Sequence, residues 1–279
     1  MVSELLAMVF KRLYLQQLIA IVVLMAALSS CSSPTHLTSA NKVSEIKRRG
    51  TLLVGATGDY RPLSYLEPQT NEYWGFDAEL ANIIARNLGV NLRFVPTSWP
   101  TLTQDMLNEQ LFDLAMCGIT INDQRKEIML MSEGYLRNGK TIMCRKTDAE
   151  RYASLDDINQ PHVRVMINPG GTNEKFAHEN LAKAQIIVHH RNEEIPSLIA
   201  EGKADIMITE IVEASYYTHK DERLAAPLID RPFTRSLMGV LMRKGDGKLL
   251  KRVNHIIRQC KRDGTLKRLH EKYGFKYNF

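Results

Sequence analysis

The residues best placed to do chemistry form a glycine turn followed by an acid, in residues 168–176 (Asn-Pro-Gly-Gly-Thr-Asn-Glu-Lys-Phe). A short apolar strand at residues 164–167 leads into this turn, and a helix that runs to about Leu181 follows it. Glycines let the backbone turn tightly and approach a ligand closely. The unpaired N–H groups of a helix start favour a bound carboxylate. Glu174 therefore has two interpretations: it complements the helix dipole, or it gives a proton to a bound anion.

The elements before this turn alternate between apolar strands and helices. Strands are predicted at residues 52–56, 91–95 and 112–116, with helices at 43–49, around 80–88 and from 97 to 106. This alternation predicts an α/β fold with a mostly parallel sheet. Ligands of such sheets bind at the carboxyl ends of the strands. Tyr60, Trp99 and Thr120 all come just past those ends and are candidate ligand contacts.

The second half of the chain repeats the pattern. An apolar strand over residues 137–146 is predicted to cross into a second lobe. Further strands are predicted at residues 164–167, 185–188, 206–209 and 237–242, and helices at 195–200, 210–217, 248–262 and 265–273. The chain therefore predicts two α/β lobes, each with its own sheet.

Composition excludes several classes of protein. The chain has 279 residues, of which 44% are hydrophobic and 24% charged, with a formal net charge of +6. This is ordinary globular composition, and the absence of long basic runs argues against nucleic-acid binding. Cys117, Cys144 and Cys260 leave two possibilities open: one disulfide between Cys117 and Cys144, or three free thiols. No spacing of histidines and cysteines indicates a metal site, so no metal or organic cofactor is expected.

The N-terminus has the order of charges and apolar residues that is typical of a secretory signal. Lys11 and Arg12 precede an apolar run at residues 18–28, which is shorter than the ~20 residues of a membrane span. The following Ser29-Ser30-Cys31 resembles a bacterial lipoprotein box. We expect residues 1–30 to be a signal peptide, residues 31–42 a linker, and Cys31 the lipidated residue of a periplasmic protein. The alternative is a plain signal peptide cleaved near the same place.

From about residue 43 onward, the chain resembles the bacterial extracellular solute-binding proteins of the amino-acid type. The motifs that carry the resemblance are residues 58–65 (Gly-Asp-Tyr-Arg-Pro-Leu-Ser-Tyr), 75–81 (Gly-Phe-Asp-Ala-Glu-Leu-Ala) and 263–266 (Asp-Gly-Thr-Leu). It implies a type II periplasmic-binding-protein fold, in which two hinge strands join two lobes that close on a ligand. We expect lobe 1 to comprise residues 43–139 and 237–279, and lobe 2 residues 140–236. Arg125 matches the family's carboxylate-binding arginine, whose planar fork suits bidentate binding.

Within that family the closer resemblance is to its dehydratase members, the cyclohexadienyl dehydratases. It rests on residues 96–100 (Pro-Thr-Ser-Trp-Pro), 135–141 (Tyr-Leu-Arg-Asn-Gly-Lys-Thr) and above all on residues 168–177. These enzymes convert prephenate to phenylpyruvate and arogenate to phenylalanine. The resemblance implies that Glu174 is the general acid that protonates the leaving ring hydroxyl, a role that contributes typically ~100- to 10,000-fold to a rate.

The same resemblance assigns substrate contacts to other side chains. Trp99 and Tyr60 are expected to pack against the ring. Hydrogen bonds are expected from Thr120, Asn122, Thr172 and Asn173, positive charge from Lys140, and a family ammonium-binding acid from Glu210. Two residues depart from the family pattern: Cys117 replaces the usual serine, and Glu210 the usual aspartate. The longer acid favours prephenate over arogenate as substrate.

Two functions remain open at this point. The chain is predicted to be a secreted dehydratase that acts on prephenate and arogenate. The alternative is a non-catalytic receptor that delivers an amino acid or another carboxylate to an ABC-type transporter in the membrane. Glu174 in its glycine-rich turn is the sequence feature that favours the enzyme.

Overall fold

The computed structural model describes residues 41–278. The predicted signal peptide, most of the linker and Cys31 lie outside these described residues, so their assignments stay predictions. Among residues 41–278, no helix combines the length and the apolar character that crossing a membrane requires.

The first of two five-stranded sheets is built mainly from the first half of the chain. Its strands are β1 (Thr51–Ala56), β5 (Asn91–Pro96), β6 (Leu114–Ala115), β7 (Met129–Met131) and β15 (Leu241–Arg243), in the order β5-β1-β6-β15-β7. Strand β1 pairs in parallel with β5 and β6, whereas β15 is antiparallel to β6 and β7. The parallel half of the sheet supplies the strand ends expected to hold a ligand.

The second sheet repeats this design with later residues. Its strands are β9 (Lys140–Arg145), β10 (Arg164–Ile167), β11 (Gln185–Val188), β12 (Ile206–Glu210) and β13 (Leu224–Ala225), in the order β11-β10-β12-β9-β13. Strand β10 is parallel to β11 and β12, and β9 is antiparallel to β12 and β13. Each sheet is therefore mixed, with one parallel half and one antiparallel half.

A two-stranded ribbon joins the two sheets, and three further short strands form a separate antiparallel meander. The ribbon pairs β8 (Leu136–Asn138) with β14 (Ser236–Met238), and the meander is β2 (Asp59–Tyr60), β3 (Ser64–Glu67) and β4 (Glu72–Trp74). The predicted single strand at residues 137–146 is wrong, because Gly139 interrupts it and separates β8 from β9. A Cβ atom on Gly139 would lie 2.1 Å from the carbonyl oxygen of Thr234, so only glycine allows this close crossing. The predicted strand at residues 237–242 likewise divides into β14 and β15.

Helices pack on the sheets. They are α1 (Lys42–Arg49), α2 (Phe76–Leu88), α3 (Leu102–Leu107), α4 (Asp123–Ile128), α5 (Leu155–Ile158), α6 (Thr172–Asn180), α7 (Ile195–Ala200), α8 (Ile211–Lys220), α9 (Gly247–Arg262) and α10 (Thr265–Lys272), with 3₁₀ turns at Lys146–Arg151 and Asn192–Glu194. Helix α2 buries Phe76, Leu80 and Ile84 at four-residue spacing, and left-handed Gly89 ends it. The observed bounds of strand β10 and helix α7 are those predicted from the sequence. Helix α8 begins after Glu210, which is the last residue of β12.

The cysteines lie in the cores of the two halves. Cys117 packs with residues of the first sheet, including Ala115 and Leu241, and Cys144 packs with residues of the second, including Val165 and Ile208. Cys117, Cys144 and Cys260 are buried free thiols. Of the two possibilities left open by the sequence, the structure therefore shows the free thiols.

Gly75 offers a test of how tightly the meander is tied to α2. Its φ angle is +125°, and a Cβ atom there would lie 2.3 Å from the carbonyl oxygen of Leu63. We expect Gly75→Ala to lower the free energy of unfolding by about 2–3 kcal/mol, because both the dihedral and the backbone contact become strained. Denaturant unfolding measures the change. The matched control is Gly245→Ala, since a Cβ atom at Gly245 meets nothing within 4 Å; equal effects of the two substitutions would contradict this explanation.

Candidate functional site

A narrow cleft lies where strand ends of the two sheets face each other. Residues from the side of the first sheet and from the side of the second line it: Tyr60, Trp99, Gly118, Thr120 and Arg125 on the first, and Asn168, Gly171, Thr172, Asn173, Asn192 and Glu210 on the second. Most of the predicted contacts come together here, because the loops after the parallel strands open into the same space.

Glu210 lies at the junction of the two halves and is only 3% exposed. Its Oε2 accepts hydrogen bonds from the Tyr60 hydroxyl at 2.6 Å and from Asn138 Nδ2 at 2.9 Å. Its Oε1 accepts from Thr120 Oγ1 at 3.0 Å and from Lys140 Nζ at 2.6 Å. These donors come from the first half, the ribbon and the second sheet, so one carboxylate connects all three.

Lys140 is buried beside Glu210, with 5% of its surface exposed. An ammonium has three donors, and its Nζ reaches three acceptors: Glu210 Oε1 at 2.6 Å, Thr172 Oγ1 at 2.7 Å and Asn173 Oδ1 at 2.7 Å. The sequence suggested that Lys140 would contact the substrate. The structure instead places it behind the lining of the cleft, where it neutralises Glu210 and holds the first turn of α6.

The ion pair determines the charge state of Glu210. Burial alone would raise the pKa of this carboxyl group. The charge of Lys140, together with hydrogen bonds from Lys140, Tyr60 and Thr120, outweighs burial, and the pKa of Glu210 is lowered below its usual value. Glu210 is therefore an ionised carboxylate that is already paired before any ligand binds.

Arg125 supplies the cation of the first half of the cleft. It lies in α4, and its Nη1 donates to the carbonyl oxygen of Thr120 at 2.7 Å, which anchors the side chain at the lining. Asn122 caps the same helix by accepting from the backbone N–H of Arg125 at 2.8 Å. Asn122 is not among the residues that line the cleft, and its side chain holds the helix that carries Arg125. Its contact with substrate stays a prediction.

The aromatic side of the cleft is formed by Tyr60 and Trp99. Their rings meet edge to face, with centroids 6.0 Å apart and planes at 82°. Trp99 Nε1 donates to Asp59 Oδ1 at 3.2 Å, while the Tyr60 hydroxyl is held by Glu210. Both rings are thus held by polar partners and together form an aromatic wall of the cleft.

Glu174 lies at the edge of the cleft and does not line it. Its Oε2 accepts from the backbone N–H of Gly170 at 2.7 Å, so the acid ties the glycine turn to the first turn of α6. Gly170 has φ +83°, and a Cβ atom there would lie 2.4 Å from the backbone nitrogen of Pro100. The turn therefore packs directly against the first half, next to Trp99. This arrangement accommodates both interpretations of Glu174: the bond to Gly170 is a helix-start contact, and the neighbours Thr172 and Asn173 face the cleft.

The Gly118 turn also depends on a buried acid. Asp77 Oδ2 accepts from the backbone N–H of Gly118 at 2.6 Å and from the Tyr135 hydroxyl at 2.9 Å. Burial raises the pKa of Asp77 to about 7. This explains why Asp77 follows Gly75 and Phe76 in the motif that the sequence singled out: it fixes the loop from which Thr120 enters the cleft.

Three asparagines near the cleft were not predicted as site residues: Asn138, Asn168 and Asn192. Asn138 and Asn168 belong to motifs noted in the sequence, but Asn192 carries no local signal that separates it from a loop asparagine. Behind Asn192 lies Glu213, which is fully buried and accepts from Asn192 Nδ2 at 2.7 Å. Burial raises the pKa of Glu213 to about 8, against hydrogen bonds from Thr209 and Asn192 that lower it. At neutral pH this group is therefore mainly uncharged.

Residues 52–276 match the family of bacterial extracellular solute-binding proteins, family 3. The chain belongs to this family. The two-lobed, type II periplasmic-binding-protein fold predicted from the sequence is thereby confirmed. The residue bounds of the two lobes stay a prediction.

Homologues in this family are extracellular or periplasmic, which indicates a periplasmic location for this chain as well. Lipid attachment at Cys31 stays a prediction.

Relatives within the family include both an enzyme and receptors. The chain is 41% identical over 209 residues to cyclohexadienyl dehydratase of Pseudomonas aeruginosa, covering 75% of this chain and 77% of that protein. It is 29% identical over 252 residues to an L-cystine-binding protein of Escherichia coli, covering 90% and 92% of the two chains. A crystal structure of an ancestral amino acid-binding protein, a precursor of cyclohexadienyl dehydratase, matches with a TM-score of 0.78 at 38% identity, covering 84% of this chain and 99% of that one.

The buried ion pair leads to a stability prediction. We expect Lys140→Met to lower the free energy of unfolding by about 3–5 kcal/mol, because it leaves the Glu210 carboxylate buried without a counter-ion. The double variant Lys140→Met/Glu210→Gln should recover part of this loss, since a neutral amide needs no counter-ion. Denaturant unfolding measures both.

The control is Lys267→Met, which removes an exposed pair with Glu271 at 3.8 Å. It should change stability by no more than about 0.5 kcal/mol. A Lys140→Met variant as stable as this control would show that Glu210 does not depend on Lys140.

Proposed function

We propose that this chain is a periplasmic dehydratase that converts prephenate to phenylpyruvate, and that it acts less well on arogenate. The observation that carries the proposal is the pairing of Glu210 with Lys140. Similarity to cyclohexadienyl dehydratase supports the reaction class, and the charges of the cleft support the substrate.

The charge balance of the cleft favours a ligand with two carboxylates. Glu210 is paired with Lys140, and among residues 41–278 Arg125 in the lining makes no salt bridge. The start of α6, at Gly171 and Thr172, adds unpaired N–H groups and the positive end of the helix dipole. Prephenate carries one carboxylate on its ring and one on its side chain. We assign one to the Arg125 fork and the other to the start of α6.

An amino acid fits this cleft less well. Its ammonium group needs an anionic partner, and in the receptor class of this family that partner is the acid at the position of Glu210. Here both oxygens of Glu210 are already taken by four donors, one of them the ammonium of Lys140. Arogenate differs from prephenate by carrying such an ammonium group, so it is the weaker of the two substrates.

The reaction requires one proton to be delivered to the leaving group. The bond between the ring and its carboxylate breaks and releases carbon dioxide, and its electron pair completes the aromatic ring. Glu174 donates a proton to the ring hydroxyl, and the protonated hydroxyl leaves as water. Glu174 is half-buried, so solvent can restore its proton after each turnover.

Tyr60 and Trp99 have a positioning role in this mechanism. Their edge-to-face rings form the wall against which the substrate ring packs, and Thr172 and Asn173 are held in place by Lys140. Since aromatisation supplies the driving force, orientation and proton delivery are what the protein has to provide.

The second candidate is a non-catalytic receptor that delivers a carboxylate ligand to a transporter. The observation that favours it is the bond between Glu174 and the backbone N–H of Gly170, which gives the acid a purely structural use. Similarity to an L-cystine-binding protein of Escherichia coli also supports this candidate.

A turnover experiment separates the two candidates. We expect the purified protein to convert prephenate to phenylpyruvate, and Glu174→Gln to lower the rate by about 100- to 10,000-fold while prephenate still binds, because the amide has no proton to give. Phenylpyruvate is followed by its ultraviolet absorbance in base. The matched control is Glu179→Gln, which changes an exposed acid on the same helix and should leave the rate unchanged.

Two results would contradict the proposal. The absence of turnover above the spontaneous rate would favour the receptor. Turnover that survives Glu174→Gln would remove Glu174 as the acid and leave the reaction class in place.

A further inference from the structure

Asn192 presents an unused hydrogen-bond acceptor inside the cleft. The residue begins the 3₁₀ turn Asn192–Glu194, is 2% exposed and lines the cleft opposite the first half. Its Nδ2 donates to Glu213 Oε1 at 2.7 Å and to the backbone carbonyl oxygen of Asp59 at 3.2 Å. A carbonyl oxygen carries no proton, so the amide nitrogen must face Asp59 and the orientation of the amide is fixed.

This orientation leaves Asn192 Oδ1 without a partner. Both amide hydrogens are used, and among the described residues the buried oxygen has no hydrogen bond. An unsatisfied buried acceptor is costly, so such an atom in a ligand cleft indicates a donor that arrives with the ligand. The bond to Asp59 also crosses from the second half to the first, so it fixes the Asn192 amide against both halves of the cleft.

Asn168 offers a second acceptor of the same kind. It follows strand β10 at the start of the glycine turn, is 5% exposed and lines the same cleft. Its Oδ1 is also buried without a hydrogen bond among residues 41–278. The cleft thus contains donors for carboxylates at Arg125 and the start of α6, and separately two neutral acceptors for a donor group of the ligand.

We propose that Asn192 Oδ1, with Asn168 as a second acceptor, binds the ring hydroxyl of the substrate. The inference rests on the proposed function and extends it to a specificity-determining contact. When the hydroxyl donates its hydrogen to Asn192, the lone pairs of its oxygen turn away from Asn192, toward the rest of the cleft. One of them then accepts the proton from Glu174. Asn192 therefore distinguishes ligands that carry the hydroxyl from those that lack it.

A pair of ligands isolates the hydroxyl. The ring-saturated analogue of prephenate keeps both carboxylates and cannot become aromatic, so its binding can be measured without turnover; its counterpart lacks only the ring hydroxyl. We expect calorimetry to show that the wild-type protein binds the hydroxyl analogue on the order of tenfold more tightly, the effect of one hydrogen bond to a buried acceptor.

Substitution of Asn192 completes the test. In Asn192→Ala the two analogues should bind equally, with the affinity for the analogue lacking the hydroxyl close to that of the wild type. The matched control, Asn180→Ala, removes an exposed amide that bonds the carbonyl oxygen of Phe176 and should keep the tenfold preference. Equal weakening of both analogues in Asn192→Ala would show a structural role only and overturn the inference.

The wild-type protein alone also decides the question if Asn192→Ala does not fold. Equal affinity of the wild type for both analogues overturns the inference and leaves the proposed function standing. Binding of neither analogue overturns the proposed function together with the inference.

Discussion

The buried pair of Glu210 and Lys140 is the interaction on which the cleft depends. Glu210 ends a strand of the second sheet and accepts from Tyr60 and Thr120 of the first half, from Asn138 of the ribbon and from Lys140. A buried carboxylate with this many donors is stable only if all of them are in place. Lys140 also donates hydrogen bonds to Thr172 and Asn173, so the ion pair positions the first turn of α6 as well.

In the function that we propose, the pair also distinguishes a dehydratase from an amino-acid receptor. A receptor for amino acids needs an acid that is free to bind an ammonium group, whereas here a lysine of the chain occupies that acid. The protein thereby provides its own cation where a receptor would accept one from the ligand. What remains in the lining is a cation at Arg125, a helix start and an aromatic wall, which suit a dicarboxylate with a ring. Glu174 beside this space supplies the chemistry that we propose.

Much of the fold could be predicted from the sequence, because an apolar strand bounded by turn residues is recognisable from its local sequence alone. Strand β10 and helix α7 have the predicted bounds, and Tyr60, Trp99 and Thr120 reach the cleft because they follow parallel strands. The partners of Glu210 could not be predicted, since Lys140 lies 70 residues away in the chain and Tyr60 lies 150 residues away. The break at Gly139 was missed for a similar reason: it is required by Thr234, which only the folded chain brings near.

The most direct test of this account compares prephenate and arogenate as ligands of the Glu174→Gln variant. The two molecules differ only in the keto or amino group of the side chain, and the variant allows binding to be measured by calorimetry without turnover. Because Glu210 is already paired with Lys140, we predict that prephenate binds at least about tenfold more tightly, the effect of leaving the ammonium of arogenate without an anionic partner. Tighter binding of arogenate would contradict the account, since it would show that Glu210 is available to the ammonium group of a ligand.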